Sequence, residues 1–284
     1  MRFGRKKENK SNFSSPLGAR GSLGVRGPIN LTVPRNYSEM TEKQVRYIAA
    51  LQVAGQPEDS IRTKCFNRFA GIKPVAHIGD IYYFIHTKIK IKGFFNLNTS
   101  EVAYFAKKMD WLTKQYTGIK PCGRIGRYKA CDELLRDTTF IQYLDAENFY
   151  QAFLFTKNEA HLYKLIGTLY QKGKQYDNSL TESRAKYFAR KATEEEKLIA
   201  TMWMMGVKEY FSHKFKYLFV RADQNEDEEP VAPNMFEIMS NQIRLLTEGD
   251  ITKKKQVLAS LTWDALKELD DKCREAEEIK KASL

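Results

Sequence analysis

A chain of 284 residues, 42% hydrophobic and 12% aromatic, has enough apolar material to close a sizeable core, which excludes a disordered protein. The length suits one large domain with appendages, or two small ones. The net charge is +12, and most of it is local: residues 1–35 hold eight Lys or Arg against one acid, Glu8, so the rest of the chain is only mildly basic.

Such a basic tail attracts phosphate polymers or acidic protein surfaces, or simply keeps the protein soluble. Its start, Met1-Arg-Phe-Gly-Arg-Lys-Lys7, has no apolar run behind it as a secretory signal has. No stretch approaches the roughly 18 consecutive apolar residues of a membrane span. Within the tail, Leu17-Gly-Ala-Arg-Gly21 and Leu23-Gly-Val-Arg-Gly27 repeat at a period of six. Glycine at that density cannot offset the entropy of ordering, so residues 1–33 are expected to be disordered. Arg5, Lys6, Lys7, Arg20 and Arg26 are the candidate nucleic-acid contacts there, through charge and stacking.

Order is expected from Pro34. Thr41 followed by Gln44 is a capping box; Val45, Ile48 and Ala49 then give a helical stripe, stopped at Gly55-Gln-Pro57. A second helix is expected from Glu58 to Ala70, ending at Gly71. Around 78–97 the pattern changes. Ile81–His86 is β-branched and aromatic, Lys88–Lys92 alternates strictly, and Phe94, Phe95 and Leu97 continue the run, which predicts one small β-hairpin. Asn98 with Glu101 caps a helix predicted to run to about Tyr116.

A basic Gly/Pro loop follows over 118–129. From there to about 220 the pattern reads as wholly helical, with segments near 131–137, 142–156, 158–171, 181–191 and 194–220. The last opens on a Thr193/Glu196 capping box and is rich in Met, Trp and Phe. Residues 222–233 form an acidic, proline-bounded linker. Beyond it, helices near 234–247 and from about Lys254 to Lys280 make a C-terminal hairpin with a narrow apolar stripe, which either packs on the body or holds a partner helix. The expected fold is mainly α: a multi-helix bundle over 34–221 with one β-hairpin, plus the helical hairpin over 234–284.

The sequence shows no catalytic signature. Cys65, Cys122, Cys131 and Cys273 are widely spread, without the close spacing of metal or redox motifs, and are expected to be reduced thiols in the cytoplasm. His77, His86, His161 and His213 form no pair at helical ligand spacing; His77 and His86 flank Asp80, a weak metal candidate. Gly118, Gly123 and Gly126 lack the Gly-Lys-Ser/Thr ending of a nucleotide loop. The loop remains either a connector or a cationic grip through Arg124, Arg127 and Lys129. The Met-rich helix is either a central buried helix or an adaptable binding surface.

Three groups of phrases carry a resemblance: Asn36-Tyr-Ser-Glu-Met-Thr-Glu-Lys-Gln44; Tyr143-Leu-Asp-Ala-Glu-Asn-Phe-Tyr150 leading to Leu162-Tyr-Lys-Leu-Ile-Gly-Thr-Leu-Tyr170; and Leu246-Thr-Glu-Gly-Asp-Ile-Thr-Lys253 followed by Trp263-Asp-Ala-Leu-Lys-Glu-Leu-Asp270. Together they resemble uncharacterised proteins encoded in phages and prophages of Bacteroides-like gut bacteria. The resemblance implies a virion-assembly role in the cytoplasm of a bacterial host, with retention in the virion as a further option. The C-terminal part is similar in style to tail-assembly chaperones, which hold a tape-measure protein. The expected function is therefore protein–protein binding without catalysis or cofactor. Its contacts are placed on Met202, Met205, Phe211, Leu258, Leu261 and Leu269, and its partner is another phage structural protein. The alternative is a nucleic-acid-binding accessory protein using the tail and the 118–129 loop.

Overall fold

The structure, a computed structural model, describes residues 13–14, 30–87, 94–173, 176–219 and 234–283. It divides into two compact units, Met1–Tyr116 and Thr117–Leu284, a boundary that falls inside the stretch 34–221. The fold is mainly α: ten α-helices, with two three-stranded sheets and a two-stranded pair among the described residues.

In the first unit, the short strands β1 (Phe13–Ser14) and β2 (Asn30–Leu31) pair antiparallel. Leu31 and Val33 are buried, so the ordered chain starts before Pro34. Helix α1 (Glu42–Val53) opens on the Thr41/Gln44 capping box and buries Val45, Ile48 and Ala49. Helix α2 (Glu58–Ala70) ends at Gly71, whose φ of 70° is the left-handed conformation that glycine adopts without a Cβ clash. The strands β3 (Ile72–Ile78), β4 (Ile81–His86) and β5 (Phe94–Asn98) form a sheet in that order. Strand β3 is not apparent in the sequence because Pro74 interrupts it; as an edge strand with a register shift between Pro74 and Ala76, it tolerates the missing donor. The alternating run 88–92 lies outside the described residues. Helix α3 (Thr99–Lys107) has the Asn98/Glu101 capping box but stops earlier than expected, and a 3-10 turn at Asp110–Thr113 brings in buried Leu112. Stacked rings hold this unit together: Phe66 on Phe105 at 5.1 Å and Phe84 on Phe95 at 5.6 Å. The Tyr37 hydroxyl donates to the Leu112 carbonyl at 2.8 Å.

In the second unit, the expected loop at 118–129 is a β-hairpin. Strands β6 (Arg124–Ile125) and β7 (Tyr128–Ala130) pair Arg124 with Lys129 and Ile125 with Tyr128. Residues 131–137 are not helical. The Asp132 carboxylate accepts from the Leu134 and Arg136 N–H groups, which holds a turn in place of a helix. Helices α4 (Phe140–Thr156) and α5 (Glu159–Leu169) follow. Strand β8 (Tyr170–Gln171) then returns to β7 as the third strand of that sheet. Helix α6 (Thr181–Lys191) packs on α5, where Gly167 lies against Arg184 and Ala185. Helix α7 (Glu194–Lys214) starts at its Thr193/Glu196 capping box and buries Met202, Trp203, Met204 and Phe211.

The expected C-terminal pair is three helices: α8 (Met235–Thr247), α9 (Lys254–Ala259) and α10 (Thr262–Ala282). The long final helix is broken at Ser260–Leu261, where the chain takes extended conformations and bridges Thr139. Helix α10 packs on α4 through buried Ala265, Leu266 and Leu269. Trp203 and Trp263 donate to adjacent carbonyls, Glu133 at 2.8 Å and Leu134 at 2.7 Å, so both indoles clamp the turn before α4.

Candidate interaction surfaces

Packing alone separates the expected contact residues. Met202, Phe211 and Leu269 are core residues; the apolar stripes that carry them are satisfied internally, and a partner cannot reach them without opening the unit. Leu258 is half-buried on α9. Met205, at 36% exposure, and Leu261, at 47%, face solvent, but the first is a single residue beside a buried stripe and the second caps α10.

An uncovered apolar face lies on α8, which the sequence did not single out. Of its thirteen residues seven are apolar, yet only Thr247 is buried. Phe236 is 81% exposed, and Ile238 and Leu245 are also open. Beside it a groove of about 670 Å³ runs between α8 and α10, with Leu245, Ala276 and Ile279 as its apolar surface and Arg244, Glu248, Lys272 and Glu275 around them. Lys272 bridges to Glu248 at 3.0 Å and to Glu268 at 3.6 Å, which pins the two helices together at the Glu248 end. Helical periodicity could have found the stripe, but not that it points outward.

A second surface lies on the β6–β7 hairpin and α6. Arg124 and Lys129 are exposed and directly opposite in register. The Arg127 guanidinium sits over two rings, 5.4 Å from Tyr128 and 5.1 Å from Tyr187. Tyr187 belongs to α6 and rests on the hairpin turn, so close that a Cβ on Gly126 would meet its hydroxyl at 2.2 Å. Around Tyr187, exposed Lys186, Arg190 and Lys191 add three cations within a turn of helix. The residues Arg5, Lys6, Lys7, Arg20 and Arg26 lie outside the described residues.

A third feature is a cavity of about 630 Å³ lined by Ile141, Lys172, Tyr176, Asn178, Leu180 and Arg184, among others. Arg184 is only 5% exposed, and its Nη1 donates to the Asp177 carbonyl at 3.0 Å. The Tyr176 hydroxyl donates to Asp145 at 2.7 Å; burial raises the Asp145 carboxyl above its ordinary range, against the lowering effect of that hydrogen bond.

The histidines and cysteines lie apart from one another. His77 stacks on Tyr82 at 4.0 Å and His86 lies against Phe95 at 4.9 Å. The two imidazoles occupy different ends of β3–β4, since Ile72, not His77, is opposite His86. No group of three potential metal ligands occurs among the described residues. No disulfide joins any of the four cysteines, and burial pushes the Cys65 thiol up to about 12, away from a reactive thiolate. Among the described residues no helix is long and apolar enough to cross a membrane.

No protein-family model matches the chain, and no curated protein or solved structure matches it either.

Proposed function

We propose that this chain is a helical assembly protein that acts by binding another protein along α8 and the adjoining end of α10. The observation that carries this reading is α8 itself: an amphipathic helix with seven apolar residues and a single buried one, Thr247. A helix of thirteen residues is marginal by itself in water, and apolar exposure concentrated on one element marks an interaction surface. The occupant is an amphipathic helix of a partner protein. Arg244 and Lys272 alternate with Glu248 and Glu275 around the groove, and a rim of both signs complements a helix with interspersed charges. A nucleic acid or an anionic bilayer would call for basic residues alone. In the setting that the resemblance implies, the partner is a phage structural protein of the tape-measure kind. The chain then serves as a tail-assembly chaperone or a minor structural component, in the cytoplasm of the bacterial host or in the virion.

The test is affinity capture of the full chain from phage-producing cells, with and without nuclease, beside a Phe236→Asp, Ile238→Asp double variant. Both positions are exposed, so the variant is expected to fold. A phage structural protein retained through nuclease treatment and lost with the variant supports the reading. Retention by the folded variant overturns it.

A second reading, a nucleic-acid-binding accessory protein, rests on the hairpin and α6. No ion pair joins Arg124, Arg127, Lys129, Lys186, Arg190 or Lys191 to a described acid, so their charge is open to a phosphate backbone. Oligonucleotide affinity should fall steeply with salt, and Arg124→Ala with Lys129→Ala should flatten that slope; salt-independent binding would count against it.

A further inference from the structure

The cavity beside α6 does not belong to the α8–α10 surface and stands independently of the protein-binding reading. Its unusual element is Arg184. An arginine at 5% exposure is ordinarily paired with a carboxylate, because an isolated buried cation forgoes several kcal/mol of hydration. Here no described acid lies within ion-pair distance. The carboxylates around it have partners of their own. Asp177, which also lines the cavity, accepts from the N–H and Oγ of Ser179 at 2.9 and 2.6 Å and feels the Arg184 charge only as a weaker effect through space. Asp145 accepts from Tyr176, and Glu182 bridges to Lys164 at 2.6 Å. The only hydrogen bond from the guanidinium to a described residue goes to a backbone carbonyl, although the group has five N–H donors.

These donors border a cavity large enough for a small molecule. Lys172 brings a second cation to the same space, Asn178 an amide, and Asp177 one carboxylate that Ser179 already occupies. The Tyr176 ring lies 5.9 Å from the guanidinium carbon. Its hydroxyl is held by Asp145 and lies 3.3 Å from Thr181 Oγ1, so the ring is fixed as one side of the cavity, while Ile141 and Leu180 supply apolar lining. Two cations from different segments, with an amide beside them, suit the several oxygens and multiple charge of a phosphate group better than a single carboxylate.

We infer that the Arg184–Lys172 cavity is a binding site for a phosphate group, with the Tyr176 ring and the apolar lining contacting what the phosphate carries. The phosphate comes either from a small ligand such as a nucleotide or from a nucleic-acid strand. A strand could reach both surfaces, because β8 leads directly into Lys172 and Gln171 is paired with Lys129 of the cationic hairpin.

The experiment is calorimetric titration of the full chain with three probes: inorganic phosphate, adenosine monophosphate and a short single-stranded oligonucleotide. The titrations are repeated with Lys172→Ala and Arg184→Met. Lys172 is exposed, so its variant is expected to fold even if Arg184→Met does not, as judged by circular dichroism. Saturable binding weakened at least about tenfold in the folded variants supports the site. Binding of phosphate or the nucleotide assigns it to a small ligand, and binding of the oligonucleotide alone assigns it to a strand. Absence of saturable binding with all three probes, or affinities unchanged in Lys172→Ala and in any folded Arg184 variant, overturns the inference.

Discussion

Thr138 and Thr262, 124 residues apart, face each other with their hydroxyl oxygens 2.8 Å apart, both fully buried. Thr262 N–H donates to the Thr138 carbonyl at 3.0 Å, and Phe140 N–H to the Ser260 carbonyl at 2.8 Å. The segment that opens α10 is thereby tied to the one that opens α4. Removing the Thr262 hydroxyl while keeping its shape leaves buried polar atoms without their partner. Thr262→Val is therefore expected to cost about 1–3 kcal/mol, and Thr262→Ser much less. Urea unfolding with an unchanged slope checks both.

Leu261 and Leu269 lie two turns apart but differ in role. Leu269 is fully buried, so Leu269→Ala should cost about 2–5 kcal/mol, and Leu269→Asp should prevent folding. Leu261 is the N-cap of α10, with no side-chain cap hydrogen bond and 47% exposure. An aspartate there can accept from the first free N–H groups, an effect of about 1 kcal/mol, which offsets the apolar contact it gives up. Leu261→Asp should therefore change stability by less than about 1 kcal/mol. Thermal and urea unfolding of the two variants separate these expectations.

Gly126 has φ of +57°, and the Tyr187 hydroxyl occupies the space a Cβ would need. Gly126→Ala is expected to lose about 1–2 kcal/mol for the left-handed backbone alone, plus the displacement of Tyr187. Adding Tyr187→Phe should recover the second part and leave the first. A double-mutant cycle in urea measures the coupling.

Asp145 gives a pH signature. Burial raises its folded carboxyl above the ordinary value, so the folded state binds this proton more tightly than the unfolded chain does. Stability from this group is then highest in acid and falls as pH rises from the ordinary aspartate value through the raised one. Asp145→Asn, which keeps an oxygen for the Tyr176 hydroxyl, should be more stable than the natural chain at neutral pH. That advantage should shrink as pH falls through the same window. Urea midpoints across pH 3–7 (roughly the span of ordinary and raised carboxyls) read it out, and the same variant should bind the phosphate probes more tightly.

The parts of this fold that were legible in the sequence are those whose physics is local. The capping boxes at Thr41, Asn98 and Thr193 each use residues three apart, and all three start helices where expected. What was not legible depended on partners distant in sequence. The turn at 131–137 has helix-forming residues but is held by Asp132 and by the two indoles from α7 and α10. Strand β8 continues the α5 pattern until Tyr170 meets Ala130 of β7. The Met, Trp and Phe richness of α7 and the apolar stripe of α10 were plain. Which stripe faces inward was not, because burial of Met202, Phe211 and Leu269 and exposure of Phe236 follow from how the helices meet.

Trp263 packs against Phe211 and Phe215 at 5.8 Å each and Tyr210 at 6.1 Å, closing over the end of α7. During translation, α4 to α7 emerge from the ribosome well before this indole does. In that interval the aromatic end of α7 has no cover and is open to aggregation or to a chaperone. The ring pairs of the first unit all come from residues preceding Thr117 and need not wait. A nascent chain stalled between α7 and α10 should therefore carry a settled leading unit and a sticky trailing one.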